Sequence, residues 1–217
     1  MKVKQALTAE FIGTFALIYI GAGAGALGVG GLVGVALAHG LVIVAFAYAY
    51  GHHSGTHINP AVTFGMLVAG EISLADAVRY WVVQFAGGTL GAFALSHALR
   101  GSGVIGLGAT TFDVASMPAL RALLIEAVLT FFLVNTIMNT AVSGKAGNLA
   151  GLAIGLTLVF CILMGGPLTG ASLNPARTFG PALISGDLSQ FWVYLVGTLL
   201  GAGGAALLYR FVLRESA

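Results

Sequence analysis

Apolar residues run along this chain in long, nearly unbroken blocks. They neither alternate as in a half-buried strand nor keep to one helical stripe. Blocks of this kind predict membrane-spanning helices, which need about 20 apolar residues each. Six are predicted: Leu7–Leu27, Leu32–Tyr50, Tyr80–Leu99, Ala119–Val142, Leu149–Gly166 and Phe191–Val212. The first contains Glu10, outruns a signal-peptide core and has no clear small-residue cleavage site, so it reads as a retained span. Two shorter apolar stretches follow Asn59 and Asn174. Each has about 10 residues before a glycine, too few to cross a bilayer at about 1.5 Å per residue. They predict half-helices.

The blocks repeat. Residues 37–65 and 152–180 align without gaps at an offset of 115, with 13 of 29 positions identical. Glu10 and Glu126 are 116 apart, so the first helix of each half also corresponds. Each half, approximately 1–108 and 119–217, holds three spans. An odd number sends the second copy into the membrane from the opposite face, giving an inverted repeat, a plan that recurs in transport proteins. The fold class expected is an all-α membrane protein of six transmembrane helices plus two re-entrant half-helices, as one channel domain over 1–217.

Composition supports this. Of 217 residues, 58% are apolar and 7% charged, with mean hydropathy +0.99; soluble domains are about one-quarter charged. A net charge of +2 gives no reason to expect nucleic acid as partner, and a single cysteine, Cys161, cannot form an internal bridge. Lys2, Lys4, Arg79, Lys145, Arg210 and Arg214 fall on one side of the six spans and only Arg100 and Arg121 on the other. The bias places both termini in the cytoplasm.

The sharpest motif is Asn-Pro-Ala, present at Asn59-Pro60-Ala61 and at Asn174-Pro175-Ala176. Asn is a strong N-cap and Pro suits the first helical position, so each motif starts a helix inside an apolar segment. Two half-helices then meet at their N-termini near the midplane, each with about half a positive charge. Their amides can donate to a water, and the potential opposes cations, protons included. The stretches before them, with Gly55, Thr56, His57, Gly170, Ala171 and Ser172, cannot face lipid, because bare backbone in hydrocarbon costs several kcal/mol per group; if they line a pore, their carbonyls offer water a ladder of acceptors. Glu10 and Glu126 are expected to accept hydrogen bonds from those loops. Arg177, where the first half has Val62, is expected to face a watery cavity as a donor and cation barrier. His39 sits mid-span, as either a buried polar group or part of a cavity wall. The pairs Gly21/Gly25, Gly87/Gly91 and Gly197/Gly201 predict close helix packing. No metal site and no cofactor are expected, His52 and His53 lacking further ligands nearby.

With Glu10-Phe-Ile-Gly-Thr-Phe, Ser54-Gly55-Thr56-His57-Ile58-Asn59-Pro60-Ala61 and Asn174-Pro175-Ala176-Arg177-Thr178-Phe179-Gly180-Pro181 in place, the chain resembles the aquaporin/major intrinsic protein family along essentially its whole length. The resemblance implies a homotetramer in the lipid bilayer, one pore per subunit, and passive flow of water or small neutral solutes. The family's four filter positions map onto His39, Ile162, Ala171 and Arg177. This set is similar to the plant tonoplast intrinsic proteins and implies ammonia passage beside water, with urea and hydrogen peroxide as further candidates. The mercury-sensitive filter cysteine of water channels maps to Ala171.

Thr178 and Ala182 stand where glycerol facilitators carry Asp and a basic residue, favouring the water branch. Leu195 stands where water channels usually have Trp, which keeps a glycerol or small-polyol facilitator as the alternative. The short loops resemble a prokaryotic member and imply an inner, plasma membrane. An enzyme is not expected: Gly170-Ala171-Ser172 resembles a rhomboid serine motif, but no histidine follows Ser172 to act as base. A coupled transporter would need carboxylates beyond Glu10 and Glu126.

Overall fold

The computed structural model describes residues 3–215; Lys2, counted in the charge asymmetry, lies outside them. The described residues form eight principal helices. They are α1 (Val3–Leu27), α2 (Gly31–Ser54), α5 (Ala119–Val142), α6 (Gly147–Thr169) and α8 (Phe191–Leu213), the two half-helices α3 (Pro60–Ala69) and α7 (Pro175–Ser185), and α4 (Leu74–Ala98). Five are long and apolar enough to cross a membrane. The sixth long helix, α4, starts at Leu74 rather than at Tyr80. Ser73 caps it through a hydrogen bond from the Asp76 amide, and Asp76 pairs with Arg79 at 2.7 Å. This polar first turn lies outside the apolar block and so was invisible to hydropathy.

The packing follows the repeat. The α1–α4 contact is mirrored by α5–α8, and α2 crosses its own counterpart α6. Each half-helix packs on the last long helix of the other repeat, α3 on α8 and α7 on α4. At about 1.5 Å per residue the two half-helices together measure about 30 Å, one bilayer core. The outer faces are apolar, with Leu41, Val82, Met164 and Leu200 exposed, as lipid requires. The chain is a multi-pass integral membrane protein of all-α, inverted-repeat architecture.

Small residues permit the contacts. A Cβ on Gly87 would strike the Phe11 carbonyl, and one on Gly201 the Ala127 carbonyl, equivalent places in the two halves. Gly21 serves a different purpose from helix packing. Its missing side chain makes room for the His39 ring, whose Cδ2 lies 2.6 Å from where a Cβ would sit.

Candidate functional site

Each half-helix starts as its Asn-Pro pair dictates. The Asn59 side-chain oxygen accepts from the Ala61 and Val62 amides at 2.8 and 3.4 Å. Asn174 does the same for Ala176 and Arg177 at 2.9 and 3.2 Å. Proline at the first helical position loses no hydrogen bond there. The amide nitrogens reach across the repeat axis: Asn59 Nδ2 donates to the Leu173 carbonyl at 2.8 Å and Asn174 Nδ2 to the Ile58 carbonyl at 2.9 Å. One amide hydrogen of each asparagine is thus committed to the opposite loop, and one remains for a solute. The sequence indicated the cap but not the cross-tie.

The loops before the motifs are held in costly backbone. Thr56 and Ile58 have φ of +52° and +41°, and Ala171 and Leu173 of +46° and +54°. Non-glycine residues there are strained by about 1–3 kcal/mol each, most for the β-branched pair. Two buried carboxylates hold the conformation. Glu10 accepts from Ser54 Oγ (2.7 Å), the His57 amide (2.8 Å), the Ile58 amide (2.6 Å) and Gln84 Nε2 (2.8 Å). Glu126 accepts from Thr169 Oγ1 (2.7 Å), the Ser172 amide (3.0 Å) and the Leu173 amide (2.9 Å). Tyr80 and Tyr194 complete the support, their hydroxyls donating to the Ser54 and Thr169 carbonyls.

A narrow cavity of about 60 Å³ runs between the halves, room for a few waters in file. Gly55, Thr56, His57, Asn59, Ser172, Asn174, His39 and Arg177 border it. Gly170, Ile162 and Ala171 do not border this cavity. Gly170 packs on Thr110 instead. Ile162 and Ala171 are buried, at 3% and 2% exposure. On α6 the wall is made by Ile154 and Leu158, and Ile162 continues that face one turn further along, at the same i+4 spacing. Its repeat counterpart, Ala47, does border the cavity, as do Ile43 and His39, which precede it by one and two turns on α2.

Val62 also borders the cavity, and the rest of the wall, Leu17, Ile43, Ala47, Leu133, Ile137, Ala141, Ile154, Leu158 and Leu173, is not singled out as lining by the sequence analysis. The signal was there. Stepping by four from His39 and adding the repeat offset of 115 reaches Ile43, Ile154 and Leu158.

At one end the cavity turns polar. His39 Nδ1 sits 2.9 Å from the Val35 carbonyl. A carbonyl only accepts, so Nδ1 carries a hydrogen, and in a neutral ring Nε2 is then the acceptor. That Nε2 is buried without a partner in the protein, as are Nε and Nη1 of Arg177. Buried polar groups are rarely left so. One acceptor and two donors border the cavity, a set that fits a small solute able both to donate and to accept.

Comparisons with known proteins agree with this arrangement. The family model of the major intrinsic proteins matches residues 1–209. The chain is 42% identical to the probable aquaporin TIP3-2 of Arabidopsis thaliana, over 98% of this chain and 85% of that one. It is 40% identical to aquaporin TIP2-1 of Zea mays, over 94% and 86%. Its fold matches the aquaglyceroporin of Plasmodium falciparum with a TM-score of 0.90 at 24% identity, covering 98% of both chains. With the paired Asn-Pro-Ala half-helices meeting at one cavity, these matches show that the chain belongs to the major intrinsic protein family of membrane channels.

Proposed function

We propose that this chain is a passive, uncoupled pore for water that also passes ammonia, with urea and hydrogen peroxide as further solutes, and that it excludes protons and other ions. The observation that carries the reading is the pair of opposed half-helix starts whose asparagines border one narrow cavity. A water at that point meets donors from both sides and two helix N-termini of positive potential. It must accept from both, which breaks a continuous file of like-oriented waters, and a hydronium is repelled. Relatives at about 40% identity are named aquaporins, which supports water as the solute.

In this reading His39, Ile162, Ala171 and Arg177 form the filter, with Gly55, Thr56, His57, Gly170 and Ser172 as loop backbone beside the path. Ile162 and Ala171 supply apolar bulk where a second donor would narrow selectivity to water. Arg177 repels ammonium by charge, while ammonia presents a lone pair to Arg177 and N–H groups to His39 Nε2. The path lies within one channel domain of two repeats, approximately 1–108 and 119–217. We place both termini on the cytoplasmic face from the lysine and arginine bias and take the assembly to be a homotetramer in the bilayer, testable by its mass in detergent. The prokaryotic plasma membrane expected from the short loops has no support from the relatives named above, which are plant proteins.

Reconstitution into proteoliposomes tests the reading. Stopped-flow shrinkage in an impermeant osmolyte should be much faster than in empty liposomes, with a low activation energy. Internal alkalinisation after an ammonium jump should be accelerated and proton current should stay at background. Fast re-swelling in glycerol would favour a polyol facilitator instead. Water flux no faster than that of empty vesicles overturns the reading.

A further inference from the structure

The two re-entrant loops are secured differently on their outer sides. In the first, Thr63 receives Gln84 Nε2 from α4 at 2.9 Å and faces His57 Nδ1 at 3.1 Å. In the second, the counterpart Thr178 has no such partner from α8, where Thr198 at the place equivalent to Gln84 bonds back to the Tyr194 carbonyl of its own helix. Thr178 is met instead by Thr110, from the segment that joins the two repeats. Their hydroxyls are 2.7 Å apart, and Thr178 is 2.6 Å from the Ser172 hydroxyl.

This chain of three hydroxyls has a direction. Ser172 Oγ donates to the Asn174 carbonyl at 2.8 Å. Its one hydrogen is then used, so Thr178 must donate to Ser172 and Thr110 to Thr178. All three residues are buried. Thr110 also packs its Cα and Cγ2 3.0 Å from where a Cβ on Gly170 would lie. The joining segment is itself fastened: the Gln190 side chain accepts from the Phe112 amide at 3.0 Å and donates to the Phe112 carbonyl at 2.8 Å. On its other flank, a Cβ on Gly108 would strike the Ala22 carbonyl. The segment is thus wedged between α1 and α8, with Thr110 at its inner point.

We propose that Thr110 is a specificity-determining positioning residue. Through the Thr110–Thr178–Ser172 chain and its contact with Gly170, it fixes the loop carrying Ala171 and the start of the helix carrying Arg177, and so sets which neutral solutes pass beside water. Thr110 does not border the cavity and touches no solute. Its effect is on the width of the polar end, which urea and glycerol, being wider than water, must clear. Water, the smallest solute, is the least sensitive to that width. The inference rests on the pore reading above.

The test compares wild type with Thr110→Val and Thr110→Ser in proteoliposomes. Valine keeps the bulk against Gly170 and removes the hydroxyl; serine keeps the hydroxyl. Water, ammonia, urea and glycerol permeabilities are measured on the same vesicles, after each protein is shown to have the wild-type mass and elution in detergent. For Thr110→Val the urea-to-water and glycerol-to-water ratios should rise about threefold to tenfold, the factor expected for losing one buried hydrogen bond, with water flux within about twofold of wild type. Thr110→Ser should keep the wild-type ratios. Unchanged ratios for every solute in Thr110→Val, beside a working wild type, overturn the positioning role alone. A wild type without water flux overturns the pore reading and this inference together. If Thr110→Val fails to assemble, Thr178→Val breaks the same chain one link inward, and wild-type ratios there likewise overturn the proposal.

Discussion

The two ends of the cavity are built from equivalent residues and differ in chemistry. At one end stand His39 and Arg177; the positions related by the repeat are Ile154 and Val62, and all four border the cavity. The scaffold beneath is nearly the same in both halves: an asparagine cap with a cross-tie, two left-handed residues and a buried glutamate. The fold needs both copies of that scaffold, because each half-helix rests on the other repeat. It does not need both ends to be polar. Two differences, His for Ile and Arg for Val, therefore make one end polar on a frame that the repeat supplies twice. Ile154 and Val62 offer only bulk at their positions, whereas His39 and Arg177 also offer charge and hydrogen bonding.

The largest effect should come from breaking the shared frame. Glu10→Gln turns an acceptor of four hydrogen bonds into a group with one acceptor and one donor end, and Glu126→Gln does so to an acceptor of three. Hydrogen bonds to a charged group are worth about 1.5–3 kcal/mol each, so either change should cost several kcal/mol. Thermal unfolding in detergent should show a clear loss for both, deeper for Glu10→Gln, and little assembled channel in membranes. Wild-type melting for both variants would mean that the strained loops hold their shape without these carboxylates.

Next in size is making the polar end resemble the apolar one. Arg177→Val copies Val62 into the second repeat. It removes a buried charge together with two unpartnered donors. Proton leak and urea flux should rise about tenfold or more, because a fixed charge in a narrow, low-dielectric path is worth more than about 1.4 kcal/mol. Water flux should persist. A variant still tight to protons would place the barrier at the two asparagines alone, and the comparison between ends would then concern solutes only.

A subtler change tests how the polar end is shaped. A Cβ on Gly21 would fall 2.6 Å from Cδ2 and 2.7 Å from Nε2 of His39, so Gly21→Ala must move the ring. The ring borders the cavity and is buried on its other sides, so the lumen is where it can go. Water flux in Gly21→Ala should fall severalfold, and adding His39→Ala should restore it. Flux that stays low in the double variant would show that the alanine disturbs α1 rather than the ring.

Much of this was legible in the sequence because it rests on local rules. Asn-Pro starts a helix wherever it stands, the offset of 115 pairs the halves, and a glutamate inside an apolar block needs donors. The unread parts depend on tertiary geometry. Thr56, Ile58, Ala171 and Leu173 adopt left-handed backbone without being glycine, so no residue type announces them. The asparagine cross-ties span 114 and 116 residues. Thr110 meets Thr178 from a segment with no periodicity at all. The wide turns at Leu17–Ala22 and Met138–Val142 also carry no local signature. The Gly21/Gly25 spacing predicts helix packing where the His39 ring lies against Gly21, because small-residue spacing does not say what fills the space.

The smallest effect expected is none, and it still bears on the comparison. Mercurials inhibit a channel when a thiol stands in the narrow part of its path, and in the proposed filter that position is Ala171. The one cysteine, Cys161, is fully buried, with its Sγ 3.6 Å from the Leu129 carbonyl, and does not border the cavity. It sits on α6 between wall residues: Ile154 and Leu158 face the lumen, and Ile162 follows at the same spacing. One residue off that face is a rotation of about 100°, which turns Cys161 into the contact with α5. Wild-type water flux should therefore be insensitive to mercury, and Cys161→Ser should behave like wild type. Ala171→Cys should create sensitivity if residue 171 stands beside the path just beyond the described cavity. If the wild type is strongly inhibited and Cys161→Ser is not, the face of α6 has been assigned wrongly, and Ile162 leaves the filter with it. If Ala171→Cys stays insensitive while water flux is normal, the path past Arg177 runs clear of residue 171, and the polar end consists of His39 and Arg177 without it.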